Sequence, residues 1–276
     1  MNLRHHTILI TGATGGIGEA LARQLADRGA RLQLSGRASP QLDSLVAELV
    51  ERGAEAIALP ADLADPEGAQ RLANHCLPEG LPDVIIHCAG MMHFGDYADV
   101  RGGTVDALMQ VNALSPMQLT RALLPALQRR GSGRLVFVGS VFGSLAFPLY
   151  ATYSASKFAL RGFAQALRRE LDGSGVDVTY VAPRFTDTRL NQGAPAQIAE
   201  HTKMARDTPE QVAAAIVVAI EQGRRYRWFG WAERLFMTVN SLWPSLIDKA
   251  LRKQTRQMRA IAGIPPTAPS LSSRGT

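Results

Sequence analysis

The chain is poor in cysteine, in long apolar runs and, toward its end, in acidic side chains. Only two cysteines, Cys76 and Cys88, occur among 276 residues. They lie in dissimilar contexts without metal-type spacing, which argues against a disulfide framework or a metal site and for a reducing, cytoplasmic compartment. No run of eighteen apolar residues is present, which excludes an ordinary membrane-spanning helix. No signal-peptide region with a cleavage site precedes the first apolar strand. From Arg224 onward there are two acids, Glu233 and Asp248, against ten basic residues. The whole chain carries +6, so a surplus of eight at its end leaves −2 for the rest. No nucleic-acid motif accompanies the basic end, and nucleic acid is not expected as a partner.

What is present is an ordinary globular composition, 46% hydrophobic and 20% charged, long enough to bury a sizeable core. Thr7–Ile10 is a β-branched apolar run that passes directly into Thr11-Gly12-Ala13-Thr14-Gly15-Gly16-Ile17-Gly18. Ile17, Ala20, Leu21 and Leu25 then recur at helical spacing. Strand, glycine turn and helix together are the context in which backbone without Cβ approaches a pyrophosphate at the positive end of a helix.

Further strands are expected at Arg31–Ser35, Ala56–Pro60, Asp83–His87, Arg134–Ser140 and Val176–Ala182, with helices between them. The second strand runs into Gly36-Arg37. A carboxylate commonly grips the ribose hydroxyls of NAD there; its absence and the guanidinium beside it favour a 2′-phosphate, hence NADP(H) over NAD(H). Asp62, beside Leu63, either contacts adenine or caps the helix opening near Asp65. Cys88-Ala89-Gly90 places small residues at the next strand end, and Asn112 is an amide inside a helical run that needs a hydrogen-bonded role or exposure. Residues 184–207 form a polar segment too long for a simple connector, either a lid or a flexible linker. Thr208-Pro209 caps the helix from Val212 to Glu221. The alternation implies an α/β fold, a doubly wound parallel sheet of Rossmann-like type. Its single domain spans 1–223, followed by a helical extension over 224–262 and a disordered tail over 263–276.

Tyr153 and Lys157 stand four residues apart on an expected helix and therefore share a face. A phenol ionises near pH ~10 in water, so an adjacent cation that favours the phenolate brings it toward acid–base use.

Together these motifs resemble the short-chain dehydrogenase/reductase superfamily over roughly residues 6–222. Thr11-Gly12, Gly16 and Gly18 are similar to its glycine loop, and Ala89-Gly90 to the end of its NNAG motif. Ser140, Tyr153 and Lys157 resemble its serine and YxxxK residues, with Tyr153 thirteen positions after Ser140, and Asn112 resembles its fourth catalytic residue. The resemblance implies that Tyr153 exchanges a proton with a carbonyl or alcohol oxygen while nicotinamide exchanges hydride with the carbon. It implies that Lys157 lowers the Tyr153 pKa and binds ribose, that Ser140 stabilises the oxyanion, and that Asn112 holds a relay water. It assigns cofactor contacts to Gly12, Thr14, Gly15, Gly16, Ile17, Gly18, Arg37, Asp62, Leu63, Ala89, Gly90, Pro183 and Thr188 as well as to Tyr153 and Lys157. A homodimer or homotetramer is common among such proteins. Two departures stand out: His87-Cys88 where the family often has two asparagines, and Pro183-Arg184 where Pro-Gly is common.

Trp228, Phe229 and Trp231 lead into Leu235, Phe236, Val239, Leu242, Trp243, Leu246, Ile247 and Leu251, an apolar stripe among basic residues with a break at Pro244. The stripe either covers a substrate pocket, makes a subunit contact or lies on a membrane surface. The leading expectation is an NADP(H)-linked oxidoreductase for a hydrophobic carbonyl or alcohol. The alternative is a catalytically silent cofactor-sensing or membrane-docked protein on the same fold.

Overall fold

A computed structural model describes residues 1–265; the expected disordered tail lies outside the described residues from position 266 onward. Seven short runs pair in parallel as one sheet: β1 (Thr7–Thr11), β2 (Arg31–Ser35), β3 (Ala56–Ala58), β4 (Val84–His87), β5 (Gly133–Val138), β6 (Val176–Ala182) and β7 (Tyr226–Trp228), in the order β3-β2-β1-β4-β5-β6-β7. The central strands read as continuous apolar runs because both sheet faces are covered. Ile8, Ile10, Val84, Ile86, Val136 and Val138 face one layer, while Leu9, Ile85, Leu135 and Phe137 face the other. Full burial of each such side chain contributes about 1.5–3 kcal/mol.

Helices α1 (Gly16–Ala26), α2 (Pro40–Glu51) and, later in the chain, α8 (Pro209–Glu221) cover the first face. Helices α3 (Gly68–Cys76), α5 (Ser115–Arg130) and α6 (Ala151–Glu170) cover the second. The expected cap of α8 forms. Thr208 and Gln211 make a reciprocal capping box at α8, with Pro209 in its first turn. Short α4 (Thr104–Met109) joins α5 through a π turn, Gln110–Leu114. Pro116 has no N–H to offer the carbonyl four residues back, that of Asn112, so an unbroken α register is unavailable at this position.

Since β1 lies between β2 and β4, the connections leave it in opposite directions. The carboxyl ends of β1 and β4 therefore border the crevice where open α/β sheets take ligands.

Three sequence expectations change. β5 ends at Val138, and Ser140 instead caps a 3₁₀ turn, Val141–Gly143, accepting from the Phe142 N–H at 3.1 Å. Residues 184–207 are not a structureless linker: they hold a 3₁₀ turn and α7 (Ala194–His201), and Thr186 bridges to Asp207. The sheet also runs on past residue 223, because Tyr226–Trp228 adds to β6. The chain then forms α9 (Trp231–Leu242) and α10 (Pro244–Ile261), broken at Pro244 as its missing N–H requires.

Candidate functional site

The glycine turn after β1 is held from below. Thr11 Oγ1 accepts from the N–H groups of Cys88 and Ala89 at 3.1 and 3.2 Å, tying the β1 and β4 ends together. Gly12 has φ +68°, and a Cβ there would lie 2.6 Å from the Ala89 Cα, so only glycine fits. No side chain among the described residues caps α1, which leaves the first-turn N–H groups of Gly16, Ile17 and Gly18 directed at the crevice. Thr188 closes against this turn, its Cγ2 2.9 Å from where a Gly16 Cβ would be. Thr14 approaches Gly36 in the same way. Arg37 is exposed beside it and makes no ion pair among the described residues. The buried Ser35 hydroxyl has no hydrogen-bond partner among the described residues. A tight glycine cradle, uncapped helix amides and an available guanidinium fit a phosphate-bearing dinucleotide.

Asp62 does not cap α3. Its Oδ1 accepts from the Ala64 N–H at 2.9 Å, and the Asp65 carboxylate accepts from the Glu67 N–H. This removes the capping alternative and leaves Asp62 exposed at the crevice side of β3. Leu63 is buried, and its carbonyl accepts from the Ser115 hydroxyl at 2.7 Å.

The π turn presents Asn112 to two partners. Its amide exchanges hydrogen bonds with the Met91 backbone, N–H and C=O each at 2.8 Å, and donates to Ser156 Oγ at 2.9 Å. The awkward helix residue therefore joins the β4 exit to α6. On α6, Lys157 is buried and donates to the Val138 carbonyl at 3.1 Å, with no carboxylate partner among the described residues. A point beside Gly90 lies 3.5 Å from Asn112 Oδ1 and 3.7 Å from Lys157 Nζ, so the two groups converge there.

Lys157 Nζ lies 5.7 Å from the Tyr153 ring centroid. Burial lowers the Lys157 pKa to about 8, and burial raises that of Tyr153 to about 12, against the pull of a hydrogen bond with Ser140. In the protein chain alone burial is the largest influence on both groups, and it acts against the charged form of each. At neutral pH the pair is therefore a phenol beside an ammonium, a donor arrangement.

Ser140 and Tyr153 lie in the wall of a cavity of about 240 Å³. Phe142, Phe147 and Tyr150 supply aromatic walls, with Phe142 and Phe147 stacked at 5.0 Å. The extension supplies another side: Phe236 and Met237 from α9 and Met258 from α10. Arg184, the residue that departs from Pro-Gly, donates from Nε and Nη2 to the Asp207 carboxylate at 2.9 and 2.8 Å. Its Nη1 stands 3.6 Å from Glu233 Oε1 on α9. Arg184 thus clasps the 184–207 segment to the extension at the cavity wall.

Several participants escape sequence reading. Ser156, Asp207 and Glu233 meet their partners only through folding. Tyr180 comes from β6 and reaches beneath the Ser140 turn, where a Cβ on Gly139 would lie 2.1 Å from its hydroxyl. Two glycines so close to Ser140, Gly139 and Gly143, were the available signal.

A family model described as short chain dehydrogenase matches residues 6–199. Dehydrogenase/reductase SDR family member 7B of Bos taurus is 31% identical over 273 residues, covering 93% of this chain and 83% of the relative. A short-chain dehydrogenase from Sphingobium yanoikuyae, solved with NADPH, superposes with a TM-score of 0.75 at 26% identity, covering 97% of this chain and 99% of that one. A short-chain dehydrogenase/reductase from Burkholderia phymatum, solved with NAD, has the same fold, with a TM-score of 0.80 at 22% identity over 89% of this chain and 96% of that one.

Proposed function

The chain belongs to the short-chain dehydrogenase/reductase family and is an NAD(P)-dependent oxidoreductase, and from that premise we propose that it reduces hydrophobic carbonyl compounds, or oxidises the corresponding alcohols, with NADP(H) as the preferred cofactor. The observation that carries this reading is the cavity whose wall holds the Ser140 and Tyr153 hydroxyls among aromatic and methionine side chains. A lining of this composition favours apolar substrate bodies and concentrates polar recognition at the two hydroxyls.

The dinucleotide supplies the hydride when bound. In the direction of reduction Tyr153 donates its proton to the carbonyl oxygen, and Ser140 donates a hydrogen bond to the same oxygen as negative charge develops. The Lys157 ammonium, buried behind them, stabilises the phenolate left by proton donation. Asn112 and Lys157 hold a water beside Gly90 that returns the proton. The α1 amides at Gly16, Ile17 and Gly18 receive the pyrophosphate, with Gly12, Gly15 and Thr14 shaping the turn. Ala89, Gly90, Pro183 and Thr188 border the nicotinamide side, and Asp62 and Leu63 the adenine side. Arg37 pairs with the 2′-phosphate. The NADPH-bound Sphingobium relative is consistent with that choice. A homo-oligomer is part of the same reading, supported by exposed Leu114 and Phe158 on the π turn and the neighbouring α6.

Consumption of NADPH and NADH is to be followed across a panel of aliphatic and aromatic ketones, with cofactor affinity measured separately for Arg37→Ala. We expect turnover of apolar ketones and a loss of roughly tenfold or more in NADP(H) affinity, on the order of a charge-assisted hydrogen-bonded pair, with NAD(H) affinity nearly unchanged. Equal losses for both cofactors refute the phosphate assignment.

A further inference from the structure

The inner sides of α9 and α10 are used, but their outer sides are not. Met237, Ile247 and Met258 are buried, whereas Trp231, Leu235, Leu242, Trp243 and Leu246 are 80, 55, 61, 60 and 59% exposed. Trp231, Leu235 and Leu242 follow at i, i+4 and i+11, one stripe of α9 that ends at the turn between the helices. Trp243 is the residue between the helices, flanked by Leu242 at the end of α9 and Leu246 in the first turn of α10. On α10 the stripe beginning at Leu246 continues through Lys249, Lys253 and Arg256 at i+3, i+7 and i+10, with Arg252 alongside.

The bases on this stripe have no assignment inside the protein. Arg259, on the inner side, is spent on Asp96, donating from both terminal nitrogens at 2.6 and 2.9 Å. Lys249, Arg252, Lys253 and Arg256 enter no ion pair among the described residues. An apolar tip bearing two tryptophans and leading into a row of uncompensated cations matches a surface that is apolar within and anionic at its boundary.

We propose that the α9–α10 hairpin docks the protein on an anionic lipid surface, inserting Trp231, Leu235, Leu242, Trp243 and Leu246 below the headgroups while Lys249, Arg252, Lys253 and Arg256 contact phosphates. A second copy of the chain is disfavoured by charge. A two-fold contact sets the same patch against itself, so four cations per copy meet four others with Asp248 as the local counter-charge. The indole rings, apolar with one polar N–H, suit the headgroup boundary. The attachment is peripheral, since no helix among the described residues is long and apolar enough to cross a membrane. Phe236, Met237 and Met258 of the same hairpin line the cavity. Docking therefore places that cavity's outer wall at the membrane; only the use of that placement for substrate entry rests on the proposed hydrophobic substrate, and docking itself does not.

The test is co-sedimentation of the full chain with vesicles of phosphatidylcholine alone and of phosphatidylcholine mixed with phosphatidylglycerol. NADPH binding and thermal melting, run alongside, serve as controls for folding. The protein is expected to bind the anionic vesicles and leave them as salt is raised. The triple variant Lys249→Gln, Arg252→Gln, Lys253→Gln is expected to bind about 100-fold more weakly, since each base near an anionic surface accounts for about fivefold. The double variant Leu242→Ser, Trp243→Ser is expected to lose binding while keeping its melt and its NADPH affinity. Failure of the wild-type chain to bind anionic vesicles overturns the proposal. So does indifference of vesicle binding to both sets of substitutions. Conversion of a dimer to a monomer by Leu242→Ser, Trp243→Ser without vesicle binding assigns the patch to a second copy and overturns it as well.

Discussion

Lys157 is a buried cation whose one hydrogen bond goes to a carbonyl, so the residue that organises the site also burdens the fold. Its pKa falls from 10.5 to about 8 through burial. The folded state therefore disfavours the proton, and the penalty is fully felt below pH 8 and relieved as pH rises from 8 to 10.5. Lys157→Met is expected to raise Tm near neutrality by a few degrees, roughly 2–4 °C for each kcal/mol recovered, while turnover is lost. The stability gain should shrink as the pH of the melt is raised from about 8 to above 10. His87 carries a signal of the same sign in a lower pH range. It is stacked on Phe137 at 4.7 Å, contacts the Thr120 hydroxyl, and is held neutral by burial, its pKa lowered from 6.5 to about 3. The unfolded chain takes up this proton below pH 6.5 and the folded chain does not, so stability is lost as pH falls from 6.5 toward 3. The slope from this one group is up to about 1.4 kcal/mol per pH unit. Urea unfolding across that range should show a shallower acid limb in His87→Asn.

At the scale of elements, the site depends on how the 184–207 segment and α9 are tied together. Arg184 makes the tie with a fork that matches the Asp207 carboxylate and a third nitrogen near Glu233. Arg184→Ala leaves two acids facing each other beside the cavity. It is expected to cost about 1–3 kcal/mol in urea unfolding, the range for hydrogen bonds to charged groups left unmade. It is also expected to raise KM more than it lowers kcat, because α9 supplies cavity wall rather than reacting atoms. Arg184→Lys should recover less than half of either loss, as a point charge cannot reproduce the fork. None of this was legible from residue 184 itself. Its partners lie far along the chain, and only the fold sets them together. The strands that were legible, Arg31–Ser35 and Val176–Ala182, alternate apolar with polar residues over most of their length and have turn residues at both ends. The seventh strand was hidden because Tyr226–Trp228 has three residues, one of them arginine, too few to show a period. Asn112 could be recognised as a residue needing a partner, but the π turn that aims it became visible only with the helix register, although Pro116 four positions later was the cue.

The whole molecule divides its charge and its chemistry along the chain. The sheet and its two helical layers carry the cofactor crevice and the hydroxyl pair. The basic end folds back as α9 and α10 and completes the cavity. The glycine turn and the Ser140, Tyr153, Lys157 set were readable because each needs particular residue types at fixed spacing. The cavity was legible only in part: the apolar stripe of the extension offered a pocket cover and residues 184–207 a lid, whereas Phe142, Phe147 and Tyr150 gave no sign of lining it. The proposed function stands on the Tyr153 hydroxyl as the proton donor of a nicotinamide-linked carbonyl reduction. Its most direct test is to measure NADPH binding by fluorescence titration and ketone turnover on the same preparations of the wild-type chain and Tyr153→Phe. Tyr153→Phe is expected to keep an NADPH affinity within about twofold of wild type and to lose roughly 10²–10⁴ in kcat, the contribution of a positioned general acid. Turnover in Tyr153→Phe equal to that of the wild-type chain, with cofactor bound normally, would contradict it.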